Sequence, residues 1–139
     1  MIAIVDYGMG NPGSLLSMLK RIGAPACIAS DADTLSGADK IILPGVGAFD
    51  AAMRRLNKAA ELRDVLETKA LKQRVPVLGV CLGMQLMTSS SEEGSLPGLN
   101  WIPAAARRFP RLDGLKVPHT GWNIAKPAAF SGLTAGIAS

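Results

Sequence analysis

The chain is poor in cysteine, histidine and aromatic residues. Its 139 residues include two cysteines, Cys27 and Cys81, and one histidine, His119. Two cysteines form at most one disulfide, which excludes a disulfide-rich secreted scaffold, and we expect both to be free thiols. Aromatic residues make up only 4% of the chain and are not interleaved with runs of Lys or Arg. We therefore expect no nucleic-acid partner, although the net charge is +4.

Long hydrophobic runs are also missing. No apolar run approaches the roughly 18 residues that a membrane-spanning helix needs. The opening residues MIAIVDYGMG have no basic n-region and are typical of a first strand rather than a signal peptide. These absences predict no membrane partner and a cytoplasmic location. The chain contains 48% hydrophobic and 19% charged residues, a composition that is sufficient for one packed domain over residues 1–139.

Short apolar segments alternate with segments of helical periodicity. Strands are predicted over residues 2–6, 27–29, 40–43 and 75–80, and helices over residues 14–22, 48–73 and 83–89, with the long helical segment broken near Asn57. This alternation predicts an α/β fold of three layers, with a mostly parallel sheet covered on both faces, as in flavodoxin-like proteins. The proline-rich residues 94–127 instead predict antiparallel strands and loops.

One of the two cysteines follows a predicted strand directly. In GVCLG, residues 79–83, a glycine stands two residues before and two residues after Cys81. A strand, a sharp turn with small neighbours and a helix form a nucleophile elbow, which lifts the central side chain above the carboxyl end of the sheet. There the N–H of Leu82 would point at a developing oxyanion. The alternative is a buried, inert structural cysteine.

Two other glycine-rich loops follow predicted strands. The loop LPGVGAF, residues 43–49, would let the backbone approach a ligand, although a plain turn explains it equally well on its own. The loop DYGMGN, residues 6–11, fits neither the dinucleotide-binding nor the Walker pattern. Because the carboxyl ends of parallel strands meet at one edge of the sheet, both loops are expected near the Cys81 elbow.

The motifs together resemble a known family. GVCLGMQ resembles the nucleophile motif of the class I, or triad, glutamine amidotransferases. The order DYGMGN, LPGVGAF, GVCLGMQLM, SSEEG, PGL and VPHTGWN is similar to that of the glutaminase subunits of imidazole glycerol phosphate synthase, from residue 1 to about residue 133. VPHTGWN is the most discriminating motif, because other amidotransferases of the class share the cysteine loop but lack it.

The resemblance implies a glutaminase activity and roles for individual residues. Cys81 would be the nucleophile that forms a glutamyl thioester, and Val46 and Gly47 would supply oxyanion donors together with the N–H of Leu82. The implied substrate-binding residues are Gly45, Gln85 and Glu93. From the residues alone, Glu92 and Glu93 would be a solvated pair. No metal and no cofactor are predicted.

The resemblance also implies a partner. Ammonia from glutamine would pass through an internal channel to a cyclase subunit that makes imidazole glycerol phosphate in histidine biosynthesis, the two subunits forming a heterodimer. The residues implied at the interface with the cyclase are Pro118, His119, Gly121, Trp122 and Asn123. Ammonia released into open water would be protonated and lost, so a dedicated acceptor is chemically reasonable.

The sequence departs from the family pattern near its C-terminus. The family carries its catalytic histidine and glutamate in a His-x-Glu pair. The 139 residues of this chain contain no such pair, and their one histidine, His119, lies outside that position. We therefore expect a C-terminally shortened amidotransferase fold with impaired activity. Two alternatives stay open. One is a non-catalytic fragment or pseudo-glutaminase that only docks the cyclase. The other is a different cysteine hydrolase, which would need His119 close to Cys81.

Overall fold

The computed structural model describes residues 1–110, 112–114, 116–124, 126, 132, 133 and 135. They fall into two compact units, Met1–Arg108 and Phe109–Ser139, and each unit is described by itself. The prediction of a single domain over residues 1–139 stays a prediction. The tail PAAFSGLTAGIAS, where the fold is expected to be shortened, lies mostly outside the described residues.

The first unit holds every helix and strand of the described residues. In chain order these are β1 Ile2–Val5, α1 Pro12–Arg21, β2 Ala26–Ala29, α2 Ala32–Ser36, β3 Lys40–Leu43, α3 Phe49–Lys58, α4 Ala60–Glu67, a π-helical segment Thr68–Lys72, β4 Val77–Gly79, α5 Leu82–Leu86, β5 Thr88–Ser91 and β6 Ile102–Ala106. None of the helices in the described residues is long and apolar enough to cross a membrane.

Four parallel strands form the main sheet in the order β2-β1-β3-β4. The chain moves one way from β1 to β2 and then reverses to reach β3 and β4. Because such crossovers are right-handed, α1 covers one face of the sheet and α2, α3 and α4 cover the other. This confirms the predicted α/β fold, and the strand order is that of the first four strands of a flavodoxin-like sheet.

The core lies between the sheet and the helices α2 to α4. Alternate strand residues such as Ala3, Val5 and Leu43 are fully buried there against Phe49 and Leu56 of α3. Residues between them in the strands point to the opposite face, as the period of two requires. The central strands β1 and β3 are apolar and buried along most of their length, whereas Leu78 of the edge strand β4 is exposed.

Local capping fixes the start of α1. The Asn11 side chain accepts a hydrogen bond from the N–H of Ser14, and Pro12 occupies the first turn, where a missing N–H costs nothing. The helix therefore begins at Pro12, two residues before the predicted start. The predicted break of the long helical segment near Asn57 is confirmed, since α3 and α4 are separated at Ala59.

The structure corrects two predictions downstream of Cys81. The helix predicted over residues 83–89 ends at Leu86, and Thr88–Ser91 forms β5 instead. β5 pairs with β6 in parallel, so the prediction of antiparallel strands over residues 94–127 is wrong for this pair. Pro103 lies within β6, which pairs with one strand among the described residues, and an edge strand tolerates proline. Helix α2 was not predicted at all.

Candidate functional site

Cys81 lies at the turn between β4 and α5, as the elbow motif predicts. It is the N-cap residue of α5, with φ +54° and ψ −118°, and it is exposed. This conformation is rarely adopted by residues other than glycine and costs of order 1–3 kcal/mol, which the surrounding structure must offset. Because the side chain is exposed, the alternative of a buried cysteine is wrong.

Both glycines of GVCLG are required by close packing. A Cβ on Gly79 would lie 2.6 Å from Met84 Cα, inside the turn that follows the cysteine. A Cβ on Gly83 would lie 1.9 Å from the carbonyl oxygen of Leu43. Glycine at 79 therefore allows the tight turn around Cys81, and glycine at 83 allows α5 to pack closely against the end of β3.

The loop LPGVGAF lies directly beside the elbow. The N–H of Val80 donates to the carbonyl of Leu43 at 3.0 Å, which extends the pairing of β3 and β4 up to the cysteine. A Cβ on Gly45 would lie 2.8 Å from the backbone N of Gly83. The loops at residues 43–49 and 79–83, distant in the sequence, thus form one surface, as expected for the carboxyl edge of a parallel sheet.

This surface presents backbone N–H groups that have no acceptor among the described residues. The N–H of Leu82 begins α5, and no backbone acceptor within the described ranges takes it, since the first N–H groups of a helix have no intrahelical partner. The N–H groups of Val46 and Gly47 are equally unpaired with backbone carbonyls of the described residues. Gly47 has φ +97°, a conformation that favours glycine. The geometry thus offers donors of the kind that stabilise an oxyanion.

The first loop, DYGMGN, closes the same edge. The buried Tyr7 hydroxyl donates to the carbonyl of Pro44 at 2.8 Å, and a Cβ on Gly10 would lie 3.3 Å from Pro44 Cβ. Burial raises the pKa of Tyr7 to about 12. The tyrosine therefore stays protonated at neutral pH, and it supports the LPGVGAF loop from below rather than exchanging protons.

The two predicted substrate-binding side chains, Gln85 and Glu93, are joined through a residue that the sequence reasoning missed. The hydroxyl of Ser91 lies 3.2 Å from Gln85 Oε1, and the N–H of Glu93 donates to the same hydroxyl oxygen at 3.1 Å. Glu92 has a separate role, because its carboxylate accepts the N–H of Arg108 at 2.8 Å. The carboxylate of Glu93 is exposed and forms no ion pair with any described residue.

Asp50, in the first turn of α3, is a second residue that the sequence reasoning missed. Its Oδ1 accepts the N–H groups of Ser95 and Leu96 at 2.9 and 3.0 Å. A Cβ on Gly94 would lie 2.2 Å from the same oxygen. The SSEEG segment is thereby fastened to the helix that follows the LPGVGAF loop. The only sequence signal was an acidic residue at a helix start, where carboxylates are common for other reasons.

No general base is paired with the cysteine in the part of the chain that the structure describes. Among those residues no hydrogen bond joins the Cys81 thiol to a histidine or carboxylate, and no group of three His, Cys, Asp or Glu side chains could hold a metal ion. The first unit therefore places an exposed thiol beside backbone donors, and no general base in that unit is hydrogen-bonded to it.

The second unit carries the remaining predicted residues. Pro118, His119, Gly121, Trp122 and Asn123 are all exposed. Within this unit the ring nitrogen Nε2 of His119 lies 3.3 Å from Asn123 Nδ2, and the His119 ring lies 6.5 Å from that of Phe109. The described residues of this unit form no helix or strand, and none of them is buried.

A family profile agrees with this geometry. The family described as glutamine amidotransferase class-I matches residues 3–133. The chain therefore belongs to the class-I glutamine amidotransferases. A solved structure titled "Crystal structure of glutamine amidotransferase" is similar in fold, with a TM-score of 0.62 and 20% identity over 78% of this chain and 57% of that one.

More specific relatives are imidazole glycerol phosphate synthase HisH subunits. The chain is 52% identical to subunit HisH of Bdellovibrio bacteriovorus, over 99% of this chain and 68% of the relative. It is 49% identical to subunit HisH 2 of Pseudomonas aeruginosa (99% and 67%) and 50% identical to subunit HisH 2 of Methanococcus maripaludis (91% and 62%). Within the class it thus groups with the HisH subunits, while spanning about two thirds of their length.

Proposed function

We propose that the chain supplies the nucleophile and the glutamine site of a glutaminase whose ammonia serves imidazole glycerol phosphate synthesis. The observation that carries the proposal is Cys81 at a strained elbow, beside a loop with free backbone N–H groups. That arrangement suits acyl transfer by a thiol. The HisH relatives supply the biosynthetic context.

The proposed chemistry begins at the glutamine side-chain amide. The Cys81 sulfur attacks the amide carbon, and the carbonyl oxygen becomes an oxyanion that the N–H groups of Leu82 and of Val46 or Gly47 stabilise. Collapse of this intermediate breaks the C–N bond, and the nitrogen leaves as ammonia after protonation. Water then hydrolyses the thioester to glutamate and restores the thiol.

Three residues are proposed to bind the amino-acid end of glutamine. The carboxylate of Glu93 has no partner among the described residues and suits the α-ammonium group of the substrate. The amide of Gln85 is half-buried nearby and suits the α-carboxylate. Gly45, packed against Gly83 with no room for a side chain, lets the backbone approach the substrate.

The proposed partner is a cyclase subunit in a heterodimer, and the proposed location is the cytoplasm. The segment 118–123 is exposed, and Trp122 has 106% of its reference accessibility. Large aromatic side chains of this kind are frequent binding hot spots. We expect ammonia to pass to the cyclase through a channel that excludes water.

These 139 residues are expected to hydrolyse glutamine slowly. They contain no His-x-Glu pair, and a general base contributes roughly 10²–10⁴ in rate. The thiolate and not the thiol attacks the amide, so the reaction needs a group that takes up the thiol proton.

The test is glutamate release from glutamine by the chain mixed with a cyclase subunit and its nucleotide ligand. Cys81→Ala should abolish the release, whereas Cys27→Ala should not, because Cys27 lies in β2, away from the carboxyl edge of the sheet. Release that survives Cys81→Ala would contradict the assignment of the nucleophile. If His119→Ala abolished the release while cyclase binding stayed intact, His119 would be the general base, and the alternative of a different cysteine hydrolase would be favoured.

The second candidate is a pseudo-glutaminase that only docks the cyclase. It is favoured by the presence of VPHTGWN without a His-x-Glu pair. In that case the chain would bind the cyclase with unchanged affinity after Cys81→Ala, and no glutamate would be released by either form.

A further inference from the structure

We propose that Ser91 is a positioning residue that sets the orientation of the Gln85 amide and the place of Glu93, and so determines selectivity for the amino-acid end of the substrate. The inference rests on the proposed glutaminase function and deepens it. Ser91 is buried, with 5% of its surface exposed, and ends β5 at the point where the chain turns toward Glu93.

The hydroxyl of Ser91 uses both of its hydrogen-bonding capacities. Its oxygen accepts the N–H of Glu93 at 3.1 Å, which fixes the backbone of that residue. Its proton is then available for Gln85 Oε1 at 3.2 Å. A hydroxyl is both donor and acceptor, so one side chain can hold two predicted substrate groups at once.

This contact decides which end of the Gln85 amide is free. With Oε1 occupied by Ser91, the NH₂ group remains, and within the described ranges no residue accepts a hydrogen bond from it. An NH₂ group can donate to the α-carboxylate of a substrate, whereas the carbonyl end of a flipped amide would repel that carboxylate. Because the hydroxyl gives its proton to Oε1, it favours the orientation that presents the NH₂ group.

Neighbouring hydrogen bonds fix the backbone around Gln85, Ser91 and Glu93. The Thr88 hydroxyl donates to the backbone carbonyl of Gln85 at 2.7 Å, and the N–H of Gly94 donates to that of Ser91 at 3.2 Å. Asp50 fixes the next residues through Ser95 and Leu96. Because the backbone is fixed on both sides, loss of the Ser91 hydroxyl should act on the Gln85 side chain and on Glu93 rather than on the fold.

The experiment compares two alkylating reagents on Cys81. One is a glutamine-shaped chloromethyl ketone with the α-ammonium and α-carboxylate groups, and the other is iodoacetamide, which lacks both. In each case the Cys81 sulfur forms a C–S bond and expels a halide ion. Rates are followed by mass spectrometry of the Cys81 peptide, so that Cys27 does not contribute. The ratio of the two rates measures recognition of the amino-acid end.

We expect Ser91→Ala to lower this ratio about tenfold, since an unpaired or flipped amide costs about the free energy of one decade in binding. The iodoacetamide rate should stay within about twofold of wild type, because it reports only on the thiol. The matched control is Ser90→Ala, in the same strand but exposed, which should leave the ratio unchanged.

A second pair of variants covers the case in which Ser91→Ala fails to fold. Ser91→Thr keeps the hydroxyl, and Ser91→Val has the shape of threonine without the hydroxyl. Threonine should retain the wild-type ratio and valine should lose it. Equal ratios for threonine and valine, or an unchanged ratio in Ser91→Ala, would overturn the role of Ser91 while leaving the glutaminase proposal intact. A wild-type ratio no higher than that of a small free thiol would overturn both proposals.

Discussion

The two units of this chain differ in what holds their motifs in place. In Met1–Arg108 the GVCLG and LPGVGAF motifs are fixed by packing, since Gly83, Gly45 and Gly79 each leave no room for a Cβ. In Phe109–Ser139 the VPHTGWN motif consists of exposed residues, with Trp122 fully accessible. All three motifs lie within the residues 3–133 that match the family, but among the described residues packing fixes only GVCLG and LPGVGAF.

The difference indicates two kinds of constraint on sequence. A glycine that touches a neighbouring carbonyl is required for the fold to close, whereas an exposed tryptophan contributes nothing to this chain's own core. Large exposed aromatic residues are typical of binding surfaces. The four substitutions below therefore probe whether the packed unit and the exposed unit respond as differently as their burial indicates.

The largest expected effect is the loss of a core side chain. Phe49→Ala removes a fully buried ring at the start of α3 and should lower the free energy of unfolding by about 4 kcal/mol. Phe109→Ala, in the exposed unit, is the matched control and should change it by less than about 0.5 kcal/mol. Urea denaturation followed by circular dichroism measures both. Similar losses for the two variants would refute the contrast between the units.

The next effect tests the elbow. Gly83→Ala places a methyl group where only 1.9 Å separates it from Leu43 O, and should destabilise the chain by about 3 kcal/mol. Gly13→Ala lies in the first turn of α1, where the nearest atom is 3.7 Å away, and should be neutral or slightly stabilising. If the midpoints of thermal unfolding for the two variants coincide, the close approach of α5 to β3 is not a constraint.

A smaller effect involves the loop contact of Tyr7. Tyr7→Phe removes the buried hydrogen bond to Pro44 and should cost about 1 kcal/mol at neutral pH. The pKa of Tyr7 is raised to about 12 in the folded chain, whereas an unfolded tyrosine titrates near 10. Between these values the unfolded state releases the proton and the folded state keeps it, so stability falls as pH rises.

Between these two pKa values, Tyr7 alone should lower the free energy of unfolding by about 1.4 kcal/mol for each pH unit. Because Tyr7 is the sole tyrosine of the sequence, Tyr7→Phe isolates its contribution. Wild type should lose its advantage over the variant within about one pH unit above pH 10 and be the less stable protein by pH 12, because the penalty of the raised pKa then exceeds the hydrogen bond. Parallel curves for the two proteins would show that Tyr7 is not buried as the structure places it.

The smallest expected effect on stability is that of Trp122→Ala. Since this side chain is fully exposed, the midpoint of thermal unfolding should be unchanged. Binding to a cyclase subunit, measured by calorimetry, should weaken at least about tenfold if the segment docks the partner as proposed. Unchanged binding would remove Trp122 from the interface. Ile124→Ala, also exposed, shows whether any weakening is specific to the tryptophan.

Much of the fold could be predicted because apolar segments of different period have different structural outcomes. The four strands of the sheet and the helices after β1, β3 and β4 were predicted with small shifts at their ends. Helix α2 escaped prediction because its five residues, ADTLS, are too few to show a period. The parallel pairing of β5 and β6 also escaped prediction, because strand direction depends on the path of the connecting loop and not on the composition of the strands.

The candidate site was predictable where backbone conformation selects residue types. The glycines around Cys81 indicated a tight turn, and the turn is present. Ser91 and Asp50 could not be identified, since serine and aspartate near loops are ordinary residues in any sequence. Their importance depends on which atoms they meet, and those partners are 6 and 45 residues away along the chain.

By itself the sequence determined the α/β class, the elbow at Cys81 and the membership of the class-I glutamine amidotransferases. Hydrophobic period, glycine spacing and motif order are properties of neighbouring residues, and they need no knowledge of distant contacts. Only the tertiary structure decided that Gly45 abuts Gly83 and that Ser91 joins Gln85 to Glu93. These contacts arise when parallel strands bring distant loops to one edge of the sheet, and that edge exists only after the chain has folded.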